Sequence, residues 1–434
     1  MTGKLVFGFI AFLTIACNSL VNSKKVVCYY DSEGNFRDGH ARFENTFLVD
    51  SLSHCTHLIY GYAGINSNTF KLVSLNEQFD VANNNYRQVT NLKKSHPNLI
   101  VLLSVGGGRD IGNKEKYLTM IEDVDDRTIF IESALAFVKT YGFDGLDLAW
   151  QFPPNKPKKI RSTAGNIWSS VKHTFVDPSP VDEKAADHKQ QFTAFIREFK
   201  TAFADDGLQL SLSVLPNVNS TLFYDVRLLS PNLDLVNLWA FDYYTPERNP
   251  KEADYPAPLH ELIDRKFDEN GNYLVQYWLQ NGAPSKKLIL GIPTYGRTWK
   301  MTRDSGTSGV PPVSDVKGGG QAGTYTREEG LLSFQEICTK LNLNRKNIGG
   351  GNAYKQVIDT SGKYGTYAFR LPNESGDGGT WIGYEDQETA SSKGTYARTK
   401  SLGGIAIVDI TLDDFRGLCT GDKFPLLRAA AASA

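Results

Sequence analysis

The residue types best suited to chemistry lie in one stretch, Phe143-Asp144-Gly145-Leu146-Asp147-Leu148-Ala149-Trp150-Gln151-Phe152-Pro153. Side chains alternate along a strand, so Asp147, Ala149 and Gln151 point one way while Leu146, Leu148 and Trp150 point the other. A carboxylate and a polar group aimed into one cavity suggest acid–base work. The last position forbids half of it. The Gln151 carboxamide can donate a hydrogen bond, but it cannot deliver a proton to a leaving oxygen. The stretch reads as a site built and then disarmed.

Such a row needs a scaffold that ends several strands at one face. Apolar runs supply it: Val26–Tyr30, Thr56–Ala63, Leu99–Val105, the central stretch, Leu208–Leu215, Leu235–Asp242, Lys287–Pro293 and Gly403–Ile410. Helical spacing separates many of them. Residues 82–94 are polar with that spacing, 127–141 carry Ile131, Leu135 and Val138 on one face, and 186–203 carry Phe192, Phe195, Ile196 and Phe199. Residues 272–281 add another. Eight apolar strands alternating mainly with helices predict an α/β fold, a (β/α)8 TIM barrel with functional groups at the strands' C-terminal ends.

Two segments break the alternation. Residues 154–181 form an insertion rich in Pro, Lys and Ser, with Lys156, Lys158, Lys159, Arg161 and Lys172 and no acidic residue before Asp177. Trp168 and Phe175 add apolar anchors, so this loop is expected at the C-terminal face as a surface for an acidic partner. Residues 298–381 are rich in Gly, Tyr and Thr, with one helix-like piece near 331–341. The terminal Arg428-Ala-Ala-Ala-Ala-Ser-Ala434 reads as a tail or scar after the last folded element.

The 434-residue chain has a formal net charge of −1, which gives no global electrostatic case for nucleic acid. Residues 1–23, with Lys4 and an apolar run from Leu5 to Cys17, read as a signal peptide too short for a membrane anchor. That predicts a secreted, extracellular protein without membrane insertion. Beyond Cys17, Cys28, Cys55, Cys338 and Cys419 remain, enough for two disulfides in any of three connectivities. Asn219-Ser220-Thr221 and Asn373-Glu374-Ser375 are glycosylation sequons, of which Asn219 reads as the better placed. No zinc spacing, P-loop or dinucleotide fingerprint is present, so no cofactor and no metal are expected.

Several motifs then agree in order. The central stretch resembles the Asp-Gly-x-Asp-x-Asp-x-Glu signature of glycoside hydrolase family 18 chitinases, with Ala149 for the last Asp and Gln151 for the proton-donating Glu. Leu103–Gly107 is similar to the family's Ser-x-Gly-Gly, and Gly291–Arg297 to its seventh-strand motif. Trp239-Ala240-Phe241-Asp242 stands where the family has Met-x-Tyr-Asp, and Val408 stands where it has the Trp beneath the reacting sugar. The resemblance spans about residues 25–425. It implies a barrel over 24–297 and 382–428, an α+β insertion domain over 298–381 between strand 7 and helix 7, and disulfides Cys28–Cys55 and Cys338–Cys419.

The resemblance also implies substrate-assisted hydrolysis, in which the protein supplies the acid and orients an acetamido group. Asp144, Asp147, Ala149, Gln151, Phe241, Asp242 and Val408 therefore mark a degenerate site with no catalytic residue. Asp147 and Asp242 are read as buried scaffold carboxylates rather than an acid pair. The disarmed signature, Phe241–Pro250 and the basic insertion resemble the imaginal disc growth factors, secreted insect chitinase-like proteins. That likeness implies a non-enzymatic growth factor promoting proliferation and motility of imaginal disc cells with insulin, as a monomer meeting a cell-surface receptor or a sulfated or chitin-like glycan. The alternative is a matrix lectin for chitin-like glycans, using Tyr29, Tyr62, Asp242, Tyr295 and Arg297, while Lys158, Lys159, Arg161 and Trp168 of the insertion are expected to meet a partner or glycan. Weak or absent binding of chitooligosaccharides is expected, because Val408 offers no aromatic floor.

Overall fold

A computed structural model describes residues 24–156, 181–263, 265–305, 318–341 and 354–434. Eight parallel strands close on themselves: Lys25–Asp31, His57–Ile65, Ile100–Gly106, Gly145–Ala149, Gln209–Val214, Leu235–Leu238, Leu288–Pro293 and Gly404–Val408. Each pairs with its chain neighbours, and the first pairs with both the second and the eighth, so the sheet has no edge in the barrel. The apolar runs are buried because each strand has helices on one side and the barrel interior on the other. Outside the predicted eight, Leu72–Ser74 runs antiparallel to the second strand.

The helix before the central strand spans Val124–Tyr141. Asp123 starts it by accepting from the Asp125 backbone N–H at 2.7 Å, and Gly142 ends it at φ +77°, a conformation that favours glycine. The helix after the basic insertion, Ala185–Ala204, buries Phe192, Phe195, Phe199 and Phe203. Trp150 meets this row on the outward face of the central strand, with its ring 5.1 Å from Phe195 and 5.7 Å from Phe192. The alternation predicted for residues 146–151 is thereby observed: Leu146, Leu148 and Trp150 belong to the outer core. The polar segment 82–94 is less regular than its spacing predicts, with an α-helix only over Asn85–Thr90 and a 3-10 turn over Asn91–Lys94.

The insertion after the seventh strand is an antiparallel sheet of five strands. Its order is Leu331–Ser333, Tyr295–Lys300, Thr380–Tyr384, Thr366–Arg370 and Lys355–Val357. It begins and ends a few residues outside the expected 298–381, because Tyr295–Lys300 continues directly from the barrel strand. The helix-like piece is a strand over its first three residues and a helix over Phe334–Leu341. Trp299, Trp381, Tyr367 and Phe369 give this domain a separate aromatic core. Cys338 is joined to Cys419 and Cys28 to Cys55, with Cα atoms 5.7 and 5.9 Å apart.

The reading of residues 429–434 as a tail is corrected. They continue a helix, Pro425–Ser433, that lies along the helix Gln387–Thr399 with Ala430 fully buried. A Cβ on Gly394 would stand 2.5 Å from the Ala430 carbonyl oxygen, so the two helices touch backbone to backbone. Among the described residues no helix is long and apolar enough to cross a membrane.

Candidate functional site

At the C-terminal ends of the strands the described residues enclose a cleft of about 630 Å³, within the range of ligand pockets. Tyr62, Gln151, Trp239, Phe241, Asp242, Tyr295, Arg297 and Val408 all line it. The predicted residues are therefore brought together in large part. Asp144, Asp147, Ala149 and Tyr29 are not among its lining residues.

Asp144 precedes the central strand and sits at the opposite end of the barrel. It pairs with Lys93 Nζ at 2.6 Å and accepts the Val101 backbone N–H at 2.8 Å. It is a structural tie between strands and is no part of the site. Asp147 and Tyr29 lie below the cleft, in the barrel interior. Asp147 is fully buried and accepts from Ser104 Oγ at 2.8 Å, Ser211 Oγ at 2.6 Å, Ser213 Oγ at 2.9 Å and Asn237 Nδ2 at 3.2 Å. Burial raises its pKa above the ordinary carboxylate value, and these donors pull it back. Tyr29 packs its hydroxyl 2.6 Å from Ser213 Oγ, and burial followed by the charge of Asp147 pushes its pKa up.

Above Asp147, Ala149 is buried and contributes no polar atom. Gln151 follows. Its Nε2 donates to the Gly107 carbonyl at 2.7 Å and to the Asp110 carbonyl at 2.9 Å. Both amide hydrogens are thus spent on the loop after the third strand, and the side chain works as a strut. The glycines of that loop make it possible. Gly106 and Gly107 have φ of +98° and +60°, and a Cβ on Gly107 would come within 2.7 Å of the Tyr62 ring.

On the other wall, Trp239 stacks on Phe241 with ring centroids 5.5 Å apart. Asp242 carries φ +55° and is held by three groups: Arg297 Nε at 2.8 Å, Arg297 Nη2 at 2.7 Å and Tyr295 OH at 2.7 Å. This fork joins the end of the sixth strand to the insertion sheet. Burial acts to lower the Arg297 pKa, but the charge and hydrogen bonds of Asp242, with Tyr295 and Glu328 nearby, together outweigh it and keep the guanidinium above its usual range. Val408, at 5% exposure, gives the cleft an aliphatic patch.

Sequence reasoning missed Asp31, Arg109 and Asp409, which complete the cleft. Arg109 Nε donates to Asp31 Oδ2 at 2.9 Å. Asp409 Oδ1 accepts from the Thr411 backbone N–H at 2.8 Å and from its hydroxyl. Burial, then the charge of Asp31, pushes the Asp409 pKa up to about 6. The available signal was position: each is an ionisable residue at or just past the end of a barrel strand.

Lys158, Lys159, Arg161 and Trp168 lie outside the described residues. Asn219 caps a short helix, its Oδ1 accepting from the Thr221 N–H at 2.9 Å, and it is half-buried. Asn373 stands exposed in a turn.

A closed parallel barrel, an α+β insertion behind its seventh strand and a cleft lined by the signature residues define a chitinase-type scaffold. The chain belongs to the glycosyl hydrolases family 18, whose model matches residues 25–413. It is 50% identical to the chitinase-like protein Idgf4 of Drosophila melanogaster, covering 96% of each chain. It is 48% identical to imaginal disk growth factor 6 of the same fly, over 94% of this chain and 92% of that one. Among solved structures it resembles catalytic domain 2 of an Ostrinia furnacalis group II chitinase, with TM-score 0.78, 31% identity and coverage of 95% and 96%. It also resembles human YKL-39, described as a pseudo-chitinase with retained chitooligosaccharide binding, with TM-score 0.74, 27% identity and coverage of 94% and 99%.

Proposed function

We propose that this protein is a secreted, catalytically inactive chitinase-like growth factor that promotes proliferation and motility of imaginal disc cells in cooperation with insulin. The observation that carries the inactive half is Gln151. At the position where the family signature has its acid, a carboxamide holds two backbone carbonyls and has no proton to give. General acid help is worth roughly 10²–10⁴ in rate, and Ala149 and Phe241 remove polar groups that would orient an acetamido group. The growth-factor half is supported by whole-length similarity to proteins named as imaginal disk growth factors. A fluorogenic chitobioside assay is expected to give no turnover. Purified protein added to imaginal disc cells is expected to raise proliferation more with insulin than without it. Turnover in the first assay, or no response in the second, refutes the corresponding half.

A second reading, a glycan-binding lectin of the extracellular matrix, is favoured by the cleft itself. Among the described residues it is open, with Tyr62, Trp239 and Tyr295 on its walls, and aromatic faces suit the C–H faces of sugars. The chitooligosaccharide binding retained by YKL-39, a pseudo-chitinase of the same fold, supports the same view. Titration calorimetry with chitotetraose tests it, and a micromolar dissociation constant establishes it.

A further inference from the structure

The charge lining the cleft points to a kind of ligand that the family resemblance does not. Among the described residues, five acidic and three basic ones line it. Two of the bases are already paired, Arg109 with Asp31 and Arg297 with Asp242. Glu328 also lies 3.9 Å from Arg297, so Asp409 and Glu115 are left against Lys114, and the described lining carries a negative excess.

Asp409 is the member of that excess placed to bind. It is more than nine-tenths buried, with 7% exposure, and it lines the cleft. Its Oδ1 is satisfied by Thr411, which fixes the carboxylate in place. Its Oδ2 makes no hydrogen bond with a described residue and is left open toward the cleft that Asp409 lines. Asp31 adds its charge beside Asp409 but is itself paired with Arg109, and Arg37 and Arg109 act on Asp409 with the opposite sign.

The opposite requirement, a seat for an acetamido group, is poorly met. Ala149 and Phe241 offer no polar atom, and Trp239 lies flat against Phe241. An ammonium group, with three donors and a positive charge, fits the free Oδ2 better than a neutral amide does. We infer that the cleft selects amino sugars with a free amine, as in deacetylated chitin-like oligosaccharides, with Asp409 receiving the ammonium group. This rests on the reading that the cleft binds a glycan.

The test is calorimetry on the full secreted protein at near-neutral pH with three tetrasaccharides: glucosamine tetramer, N-acetylglucosamine tetramer and uncharged cellotetraose. The glucosamine tetramer is expected to bind at least ~10-fold more tightly than either other sugar, with an advantage that shrinks as salt rises. Asp409→Asn, which preserves the Oδ1 contacts to Thr411, is expected to abolish the preference while leaving the circular dichroism spectrum unchanged. Should that variant fail to fold, the salt dependence in the unmodified protein decides the matter alone. Equal affinity for the three sugars, or preference for the acetylated one, overturns the amine assignment and leaves the lectin reading standing. A salt-independent glucosamine preference, or one that persists in a folded Asp409→Asn, also overturns it. No binding of any of the three overturns both.

Discussion

Gln151 shows how a single atom exchange changes what a site can do. Its Nε2 faces two carbonyl oxygens, so a glutamate in the same pose sets a carboxylate oxygen against acceptors. An unmet buried acceptor costs about 1–3 kcal/mol. Gln151→Glu is therefore expected to lower the unfolding temperature, and chitobioside turnover is expected to stay at background. Urea unfolding and the fluorogenic assay check the two halves. A variant that is both stable and active would show that the loop over 107–110 gives way easily and that the supporting residues matter little. The pH response of Asp409 belongs to this scale too. Its folded pKa, about 6, lies above the unfolded carboxylate value, so the folded state holds the extra proton between roughly pH 4 and 6. Stability attributable to this group is present in acid and is lost as pH rises through about 6. Thermal midpoints measured from pH 4.5 to 7.5 should fall by more in the unmodified protein than in Asp409→Asn, by an amount on the order of 1–3 kcal/mol at the upper end.

Among elements, the fork between Asp242 and Arg297 joins two units that could otherwise pack independently. Both side chains are largely buried, at 14% and 18% exposure. Removing one partner of such a pair leaves an unpaired charge and costs about 3–5 kcal/mol. Arg297→Ala is expected to show that loss, and Arg297→Ala with Asp242→Asn to recover part of it; equal losses in the single and double variants would mean that packing dominates over charge. How much of this was legible follows from the same elements. The eight barrel strands were readable because each is a short apolar run bounded by polar or glycine-rich segments. The inward row at 147, 149 and 151 was readable because strand periodicity is fixed. The fork was not, since Asp242 and Arg297 meet only after the chain leaves the barrel and returns. Asp144 was misplaced for a related reason: motif membership does not say which end of a strand a residue occupies. Asp31, Arg109 and Asp409 come from three strand ends far apart in sequence, and closure of the barrel is what assembles them.

At the scale of the whole molecule, the last helix decides how the barrel is closed from outside. The run Arg428-Ala-Ala-Ala-Ala-Ser-Ala434 carries no apolar periodicity, which is why it reads as a tail, yet alanine has the highest helix propensity of any residue. Tertiary contact supplies what periodicity does not. Ala430 is buried, the absence of a Cβ at Gly394 lets the backbones meet, and Arg398 Nη1 donates to the Ser433 carbonyl at 2.5 Å. The helix Gln387–Thr399 in turn packs on the seventh and eighth barrel strands, whose ends carry Val408 and Asp409. Removing residues 429–434 therefore strips an outer layer from the strand that forms one wall of the cleft. The truncated protein is expected to lose about 1–3 kcal/mol in denaturant unfolding, since a handful of buried contacts and helical hydrogen bonds go with it. Hydrogen exchange should show the loss first in residues 387–399, before the first four strands respond. Unchanged stability and unchanged protection there would return these residues to the status of a tail.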